Sequence, residues 1–278
     1  MIGPLQENAR MLASLIGVDE DEAAERLDCT VLMTVATDAV SQTWAAEIQA
    51  LLERTVNVVL KPNSDACAVE LIVGQTAPRT SATRVYAAID AERAVIDLAP
   101  TRRDENAPHP LFGAIAASPA AAAVLFKAID AQGLPVVRFP VTIRFDQLGL
   151  STEALRARID VDGAVLVGAG AVGNAFLRAL RLVDAHGKLP IVDPKIVGGG
   201  NPNRCLYLTA DDVKANKAEA LARNAQPDFP NVELLPFVGE FGKYVELNGV
   251  QRTAIVTVDS RRVRRCLLYT SDAADEED

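Results

Sequence analysis

Ala164-Val-Leu-Val-Gly168-Ala-Gly170-Ala-Val-Gly173 is the stretch that decides the fold. Four apolar residues run as a short strand into a Gly-x-Gly-x-x-Gly loop. Glycine permits the tight turn and lets backbone come close to an anion, and the helix that follows aims its unpaired N–H groups at that anion. A second strand, Leu189-Pro-Ile-Val-Asp193, closes on an acid 20 residues beyond Gly173. A carboxylate at that distance accepts hydrogen bonds from ribose hydroxyls. Taken alone, this is a generic nucleotide-binding signature. Asn201, Asn203, Arg204 and Lys217 sharpen it, because a triphosphate needs cations that a dinucleotide does not.

Further along the chain, strands and helices alternate. Asn174 to Ala185 reads as a helix stopped by His186-Gly187. Thr209-Ala-Asp-Asp212 opens another, with Thr209 as N-cap, acids in the first turn and Lys217 about two turns in. Val232 to Leu235, a helix near 239–248 and Thr253 to Val258 complete the series. Such alternation predicts an α/β fold: a mostly parallel, doubly wound, Rossmann-like sheet with right-handed crossovers. Ligands of these sheets bind beyond the carboxyl ends of the strands, where Gly168, Asp193 and Asp259 all fall. Asp259 also suits a plain helix N-cap.

The run Asp193-Pro-Lys195-Ile-Val-Gly198-Gly-Gly200-Asn201-Pro-Asn203-Arg204-Cys205-Leu-Tyr, with Lys217 in an Ala/Lys/Glu segment, resembles the ubiquitin-activating and ThiF/MoeB-type adenylyltransferase family. The family pattern is D-x-D-x-V-x-x-S/T-N-L-N-R-Q with a lysine 13 residues after the arginine. Asp193 to Arg204 is 11 residues here and Arg204 to Lys217 is 13, both in register. The strand Ala254-Ile-Val-Thr-Val-Asp259 resembles the family's aspartate-ended strand. Four positions depart: Lys195 stands for the second acid, Gly200 for the small hydroxyl residue, Pro202 for Leu and Cys205 for Gln. The resemblance implies ATP-dependent adenylation of a carboxylate. In that reading Gly168, Gly170 and Gly173 hold the nucleotide and Asp193 its ribose. Arg204 and Lys217 neutralise the triphosphate as the catalytic cations, Asn201 and Asn203 complete the polar contacts, and Asp259 holds Mg²⁺. The implied acyl substrate is the C-terminus of a ubiquitin-like or sulfur-carrier protein, although some relatives adenylate peptides or small molecules.

The N-terminal half has no glycine loop. Residues 5 to 28 carry helical spacing, with Asp19-Glu-Asp-Glu22 starting a second helix. Thr30 to Val35, Val56 to Leu60, Val69 to Val73 and Arg84 to Ile89 read as strands, and Ala94 to Leu98 suits a hairpin partner. Ser41 to Glu53 reads as a helix with Ser41 as N-cap. His109 to Lys127 resembles the alanine-rich helix that bacterial ThiF-type proteins carry beside their core; a small-residue helix packed on a sheet is the plainer reading. The expected organisation is an α/β domain over 1–150, an incomplete ThiF-type ATP-binding core over 151–265, with a linker near 149–158, and a tail over 266–278. Cys266 to Glu276 resembles the translation of a transposase-type sequencing adapter, so the tail is expected to be non-native and the core truncated.

The 278 residues are 49% hydrophobic with mean hydropathy +0.13 and a formal charge of −9. Five acids and no bases fall in the tail, which leaves −4 for the rest. A mildly acidic body argues against nucleic acid as a main partner, and Arg261 to Arg265 reads as a solvated helix face. No apolar run approaches the ~20 residues of a membrane span, and no secretory signal opens the chain. Cys29, Cys67 and Cys205 are scattered without metal-ligand spacing, which fits a reducing compartment. Cytoplasmic location, a homodimer, and no membrane partner are the matching expectations. A NAD-dependent oxidoreductase would explain the glycine loop and Asp193 but leave Asn201, Asn203, Arg204 and Lys217 idle. A non-catalytic nucleotide-binding scaffold is the other alternative. Because the tail reads as foreign to the core, deleting 266–278 should leave the melting temperature unchanged; a fall of several degrees, more than about 1 kcal/mol for a chain this long, would make the tail native structure.

Overall fold

The computed structural model describes residues 4–61, 67–129 and 137–258. Asp259, Arg261 to Arg265 and the tail 266–278 lie outside the described residues. The chain divides into two compact units, Leu5–Leu155 and the part from Arg156 onward.

Two short helices, Pro4–Ile16 (α1) and Glu20–Leu27 (α2), open the first unit. Asp19 caps α2 by accepting the N–H of Glu22 at 2.8 Å, as the acidic start predicts. Next come Thr30–Val35 (β1), Ala39–Leu52 (α3), Asn57–Val59 (β2), Val69–Val73 (β3), Thr83–Ile89 (β4) and Arg93–Asp97 (β5). Pro110–Ala128 (α4) and Val141–Arg144 (β6) follow. The sheet order is β2-β1-β3-β4-β5-β6. β2, β1, β3 and β4 run parallel, while β4–β5 and β5–β6 are antiparallel. β4 and β5 form the expected hairpin.

β1 and β3 are buried along nearly their whole length, as central parallel strands must be. Val31, Met33, Leu71 and Val73 face the side where Trp44 and Ile48 of α3 and Phe112, Ala116 and Ala120 of α4 complete the core. Alanines let α4 come close to its neighbours, and Trp44 donates its indole N–H to the Gly113 carbonyl at 3.1 Å. α4 has 19 residues and is long and apolar enough to cross a membrane by length and composition, yet nine of them are buried within the fold. Helix α3 starts two residues before Ser41. Asp38 is its N-cap and takes the Ser41 N–H at 3.0 Å, while Ser41 itself is buried inside the first turn. His109 caps α4 through Nδ1, which accepts the Leu111 N–H. Cys29 and Cys67 are half-buried at the margins of the packing.

Thr152–Arg156 (α5) spans the boundary, and the second unit continues with Ile159–Asp160 (β7), Ala164–Val167 (β8), Ala171–Leu180 (α6) and Ala185–Val192 (β9). Lys217–Ala225 (α7), Val232–Phe237 (β10), Phe241–Asn248 (α8) and Thr253–Val256 (β11) follow. The strands are all parallel, in the order β10-β9-β8-β11, and β7 adds to β9. β8 divides its side chains by the period of two. Ala164 and Leu166 join Leu177 and Leu221 of α6 and α7, whereas Val165 and Val167 join Phe241 and Tyr244 of α8. Helices therefore cover both faces, and the sheet is doubly wound. Strand order reverses between β8 and β11, which creates the switch point where such sheets open a crevice.

Two boundaries differ from the sequence reading. α6 ends at Leu180, and His186 and Gly187 belong to β9 rather than to a helix stop. Pairing with β7 and β10 recruits them: Val161 N–H bonds the His186 carbonyl and Gly187 N–H the Asn231 carbonyl. The expected helix at Thr209 is a single turn, Ala210–Asp212, and α7 starts only at Lys217 behind its own cap, Asn216. Lys214 between them takes φ +79°, a left-handed conformation that stops a helix.

Glu70 is a buried carboxylate of the first unit. It is fully buried on β3 and accepts from the Thr34 hydroxyl (2.5 Å), the Arg79 N–H (2.7 Å) and the Thr80 N–H and hydroxyl (2.9 and 2.8 Å). Burial pushes its carboxyl up, but these bonds together outweigh burial and hold it below the usual range. Asp212 behaves alike: burial raises it, and Thr209, Asn224 and Arg223 bring it lower. A carboxyl depressed in the folded state gives stability that is present above its unfolded pKa and is lost as pH falls through the folded one. Glu70→Ala removes the acceptor of four hydrogen bonds, one of them from the buried Thr34 hydroxyl, and should cost about 2 kcal/mol. The loss should appear in thermal melts at pH 7 and shrink below about pH 4, the ordinary glutamate range, where wild type loses the same contribution. An equal loss at both pH values would refute this account.

Candidate functional site

A cleft of about 870 Å³ opens at the switch point of the second unit. Gly168, Gly170, Asp193, Asn201, Arg204 and Lys217 all line it, so six of the residues read from sequence converge on one cavity. Gly173 and Asn203 do not line it. Asp259 lies outside the described residues; Val258, its neighbour, is part of the wall.

The glycine loop is shaped from several directions. Gly168 sits at φ +107°, and a Cβ there would meet Val258 at 2.8 Å. Thr257 shares its hydroxyl hydrogen between the carbonyls of Val167 and Gly168, at 3.0 and 2.8 Å. Gly173 packs against the loop backbone: a Cβ would lie 2.2 Å from the Gly168 carbonyl oxygen. Gly170 is the N-cap of α6 and has open space around it. No side chain caps this helix, so its first-turn N–H groups retain their capacity for an anion.

Asp193 is buried, and both of its oxygens are engaged. Oδ2 accepts the Ala169 N–H and Oδ1 the Lys195 N–H, each at 2.8 Å. Each oxygen keeps lone-pair capacity for a ligand hydroxyl. Asn201 opens a one-turn helix, Asn201–Asn203, and its Oδ1 accepts the Gly198 N–H at 2.9 Å, closing the triple-glycine segment into a turn. Asn203 turns its amide oxygen to Arg204, whose Nη1 donates to it at 3.0 Å. Lys217 is the first residue of α7, and its N–H bonds the Lys195 carbonyl at 2.9 Å. Cys205 is buried with Val197, Leu208 and Ala220 beside the cleft.

Three supporting residues escaped the sequence reading. Asn174, fully buried, donates to the Ala169 and Gly170 carbonyls and accepts the Tyr207 N–H, so it ties the glycine loop to the segment after Arg204. Asn216 donates to the Asp193 and Lys195 carbonyls while capping α7. An Asn directly before a helical Ala/Glu/Lys run is a legible cap signal. Asn174 and Thr257 carry no comparable mark.

The charged wall consists of Lys195, Arg204 and Lys217 against Asp193 and Glu240. That balance suits an anion. It suits a bare metal poorly: no group of three His, Cys, Asp or Glu side chains converges among the described residues. Mg²⁺ takes its oxygen ligands from one or two carboxylates together with substrate phosphates and waters, and the two wall carboxylates, Asp193 and Glu240, supply only part of such a shell. The described residues therefore do not fit a magnesium ion by themselves.

Residues 146–269 match the ThiF family, and residues 1–151 match the E1 N-terminal domain. The chain therefore carries an E1 N-terminal domain over more than half of its length, followed by a segment that matches the ThiF family. No curated protein matches it. Among solved structures, E. coli MccB with ATP is 22% identical over 35% of this chain and 29% of its own, with a TM-score of 0.31. E. coli tRNA N6-threonylcarbamoyladenosine dehydratase, TcdA, in complex with AMP is 23% identical over 44% of this chain and 50% of its own, with a TM-score of 0.34. E. coli MccB with the selenomethionine form of MccA is 21% identical over 38% of this chain and 31% of its own, with a TM-score of 0.31. The chain thus spans half or less of the length of these solved chains.

The two glycines at the loop should separate. Gly173→Ala forces a methyl into the Gly168 carbonyl and should destabilise by about 1–3 kcal/mol, the usual cost of overpacking. Gly170→Ala meets nothing and should melt as wild type does. Equal melting temperatures for the two variants would contradict the packing described.

Proposed function

We propose that this chain carries out ATP-dependent adenylation of a carboxylate, with the C-terminus of a ubiquitin-like or sulfur-carrier protein as the acyl substrate and pyrophosphate as the product. The observation that carries the reading is the convergence of the glycine loop, Asp193, Asn201, Arg204 and Lys217 on one cleft at the switch point of a ThiF-family sheet.

The chemistry asks the protein for position and charge rather than for a covalent group. A carboxylate oxygen attacks the α-phosphorus of ATP, a new P–O bond forms, and the bond to the β-phosphate oxygen breaks. Negative charge shifts to the departing pyrophosphate. In this proposal Gly168, Gly170 and the open end of α6 hold phosphate oxygens, with Gly173 keeping the loop closed. Asp193 takes the ribose hydroxyls on the lone pairs its two backbone bonds leave. Arg204 and Lys217 stabilise charge on the triphosphate. Asn201 shapes the loop that presents Arg204, and Asn203 orients its guanidinium. Asp259 is assigned the Mg²⁺ that accompanies ATP, and no step is routed through the ion. A homodimer in the cytoplasm is the proposed setting.

A dinucleotide oxidoreductase is the competing use of such a sheet. Two of the cations, Arg204 and Lys217, reach the cleft from outside the glycine loop, which favours a triphosphate. Calorimetry should therefore show Mg²⁺-ATP binding in preference to NAD⁺, and tighter NAD⁺ binding would sink the adenylation reading. ATP–pyrophosphate exchange, measured with candidate carrier proteins, tests the reaction and separates an enzyme from a nucleotide-binding scaffold. Arg204→Ala and Lys217→Ala should each lower the exchange rate on the order of 10²-fold, the usual effect of removing one transition-state charge contact. Unchanged exchange in both variants would strip them of these roles.

A further inference from the structure

Lys195 stands where the family pattern has an acid, and the structure places it opposite Lys217. Ile196 forms an antiparallel bridge with Asn216. The bonds from Lys217 N–H to the Lys195 carbonyl (2.9 Å) and from Val197 N–H to the Ala215 carbonyl (2.8 Å) flank that bridge. In this register residues 195 and 217 face each other directly, and directly opposed residues share a face. Both line the cleft. Like charges held opposite one another are unfavourable. Among the described residues neither ammonium has a hydrogen-bond or ion-pair partner, and the nearest carboxylate in sequence, Asp193, spends one oxygen on the Lys195 N–H itself. The backbone is meanwhile held firmly: Asn216 donates to the Lys195 carbonyl at 3.2 Å and to the Asp193 carbonyl at 3.1 Å. Two lysines thus stand at directly opposed backbone positions on the wall of one cleft.

We propose that Lys195 and Lys217 clamp a phosphate group of the bound nucleotide, which makes Lys195 a third phosphate-binding cation of this site. The inference rests on the nucleotide reading of the cleft and deepens it: the site takes a polyphosphate, and its charge complement comes from a residue that the family pattern makes acidic. An anion between the two ammoniums turns their repulsion into a shared attraction, so the clamp contributes only when it is filled.

The test uses the full chain and two probes, inorganic tripolyphosphate and ATP, titrated calorimetrically into wild type, Lys195→Met, Lys195→Arg and Lys217→Met. Lys195→Met should weaken both probes about tenfold, the size of one charge-assisted contact. Lys195→Arg should stay close to wild type, and adenosine binding should not change. The double variant should lose less than the sum of the two single variants, because both lysines hold the same group. Without ligand, Lys195→Met should melt no lower than wild type, since it removes a repulsion. Wild-type protein that ignores tripolyphosphate, or a Lys195→Met variant that binds it as wild type does, overturns the clamp. So does a melting temperature several degrees lower in that variant, which would make Lys195 a structural residue. Tripolyphosphate binding that depends on Lys195 without any ATP–pyrophosphate exchange leaves the clamp standing and removes the adenylation reading. Exchange with an unchanged KM for ATP in Lys195→Met does the reverse.

Discussion

The carboxylate of Asp193 is the tie on which the second unit's site depends. It is buried at the end of β9, and each of its oxygens takes a backbone N–H from a different segment: Ala169 in the glycine loop after β8, and Lys195 at the start of the loop that leads to Arg204. A buried carboxylate without such bonds would be strongly unfavourable. With them, it fixes the mutual position of the two loops that bracket the switch point. Asn216 extends the tie by binding the carbonyls of Asp193 and Lys195, and so positions the first turn of α7 and Lys217. Asn174 closes the circuit from the other side, joining the glycine loop to Tyr207. The convergence of distant residues on one cleft is the result of these few bonds.

The first unit shows why sheet topology alone does not make such a site. Its strand order also reverses, between β1 and β3, and a helix follows β1 as α6 follows β8. There the helix start is already filled. Asp38 spends its carboxylate on the first turn of α3 and takes a hydrogen bond from Arg103 at 2.8 Å. Gly74, at φ +79°, lies so close to the buried Ser41 side chain that a Cβ there would clash with it. An acid at the N-cap stabilises a helix and repels an anion at the same point. Gly170 does neither, and the end of α6 stays available.

Legibility in the sequence followed the range of the interaction. The strand and glycine loop at 164–173, the acid at Asp193 and the β/α alternation are local patterns, and the structure has them. The doubly wound sheet follows from that alternation, and the structure places helices on both of its faces. What failed was set by pairing across the chain. Gly187 and His186 look like a helix stop until β7 and β10 bond to them. Lys217 looks internal to a helix until the left-handed Lys214 separates the turn at Thr209 from α7. Thr257 and Asn174 are unremarkable in sequence because their partners are carbonyls 89 or more residues away for the threonine, and, for the asparagine, Tyr207, 33 residues on.

Charge explains why the site needs so many short-range contacts. The chain carries a formal −9, so its long-range field does not draw in an anionic nucleotide. At physiological salt that field is in any case screened beyond about 8 Å. In the proposed function, recognition is then built inside the cleft, where the uncapped start of α6 offers backbone N–H groups without net charge and Arg204 and Lys217 line the wall. Lys195, set among them in place of an acid, moves the local balance of the wall to three cations against two carboxylates. In the proposed reading, a lysine at a position whose backbone is pinned by Asp193 adds positive charge to the wall that would face the nucleotide.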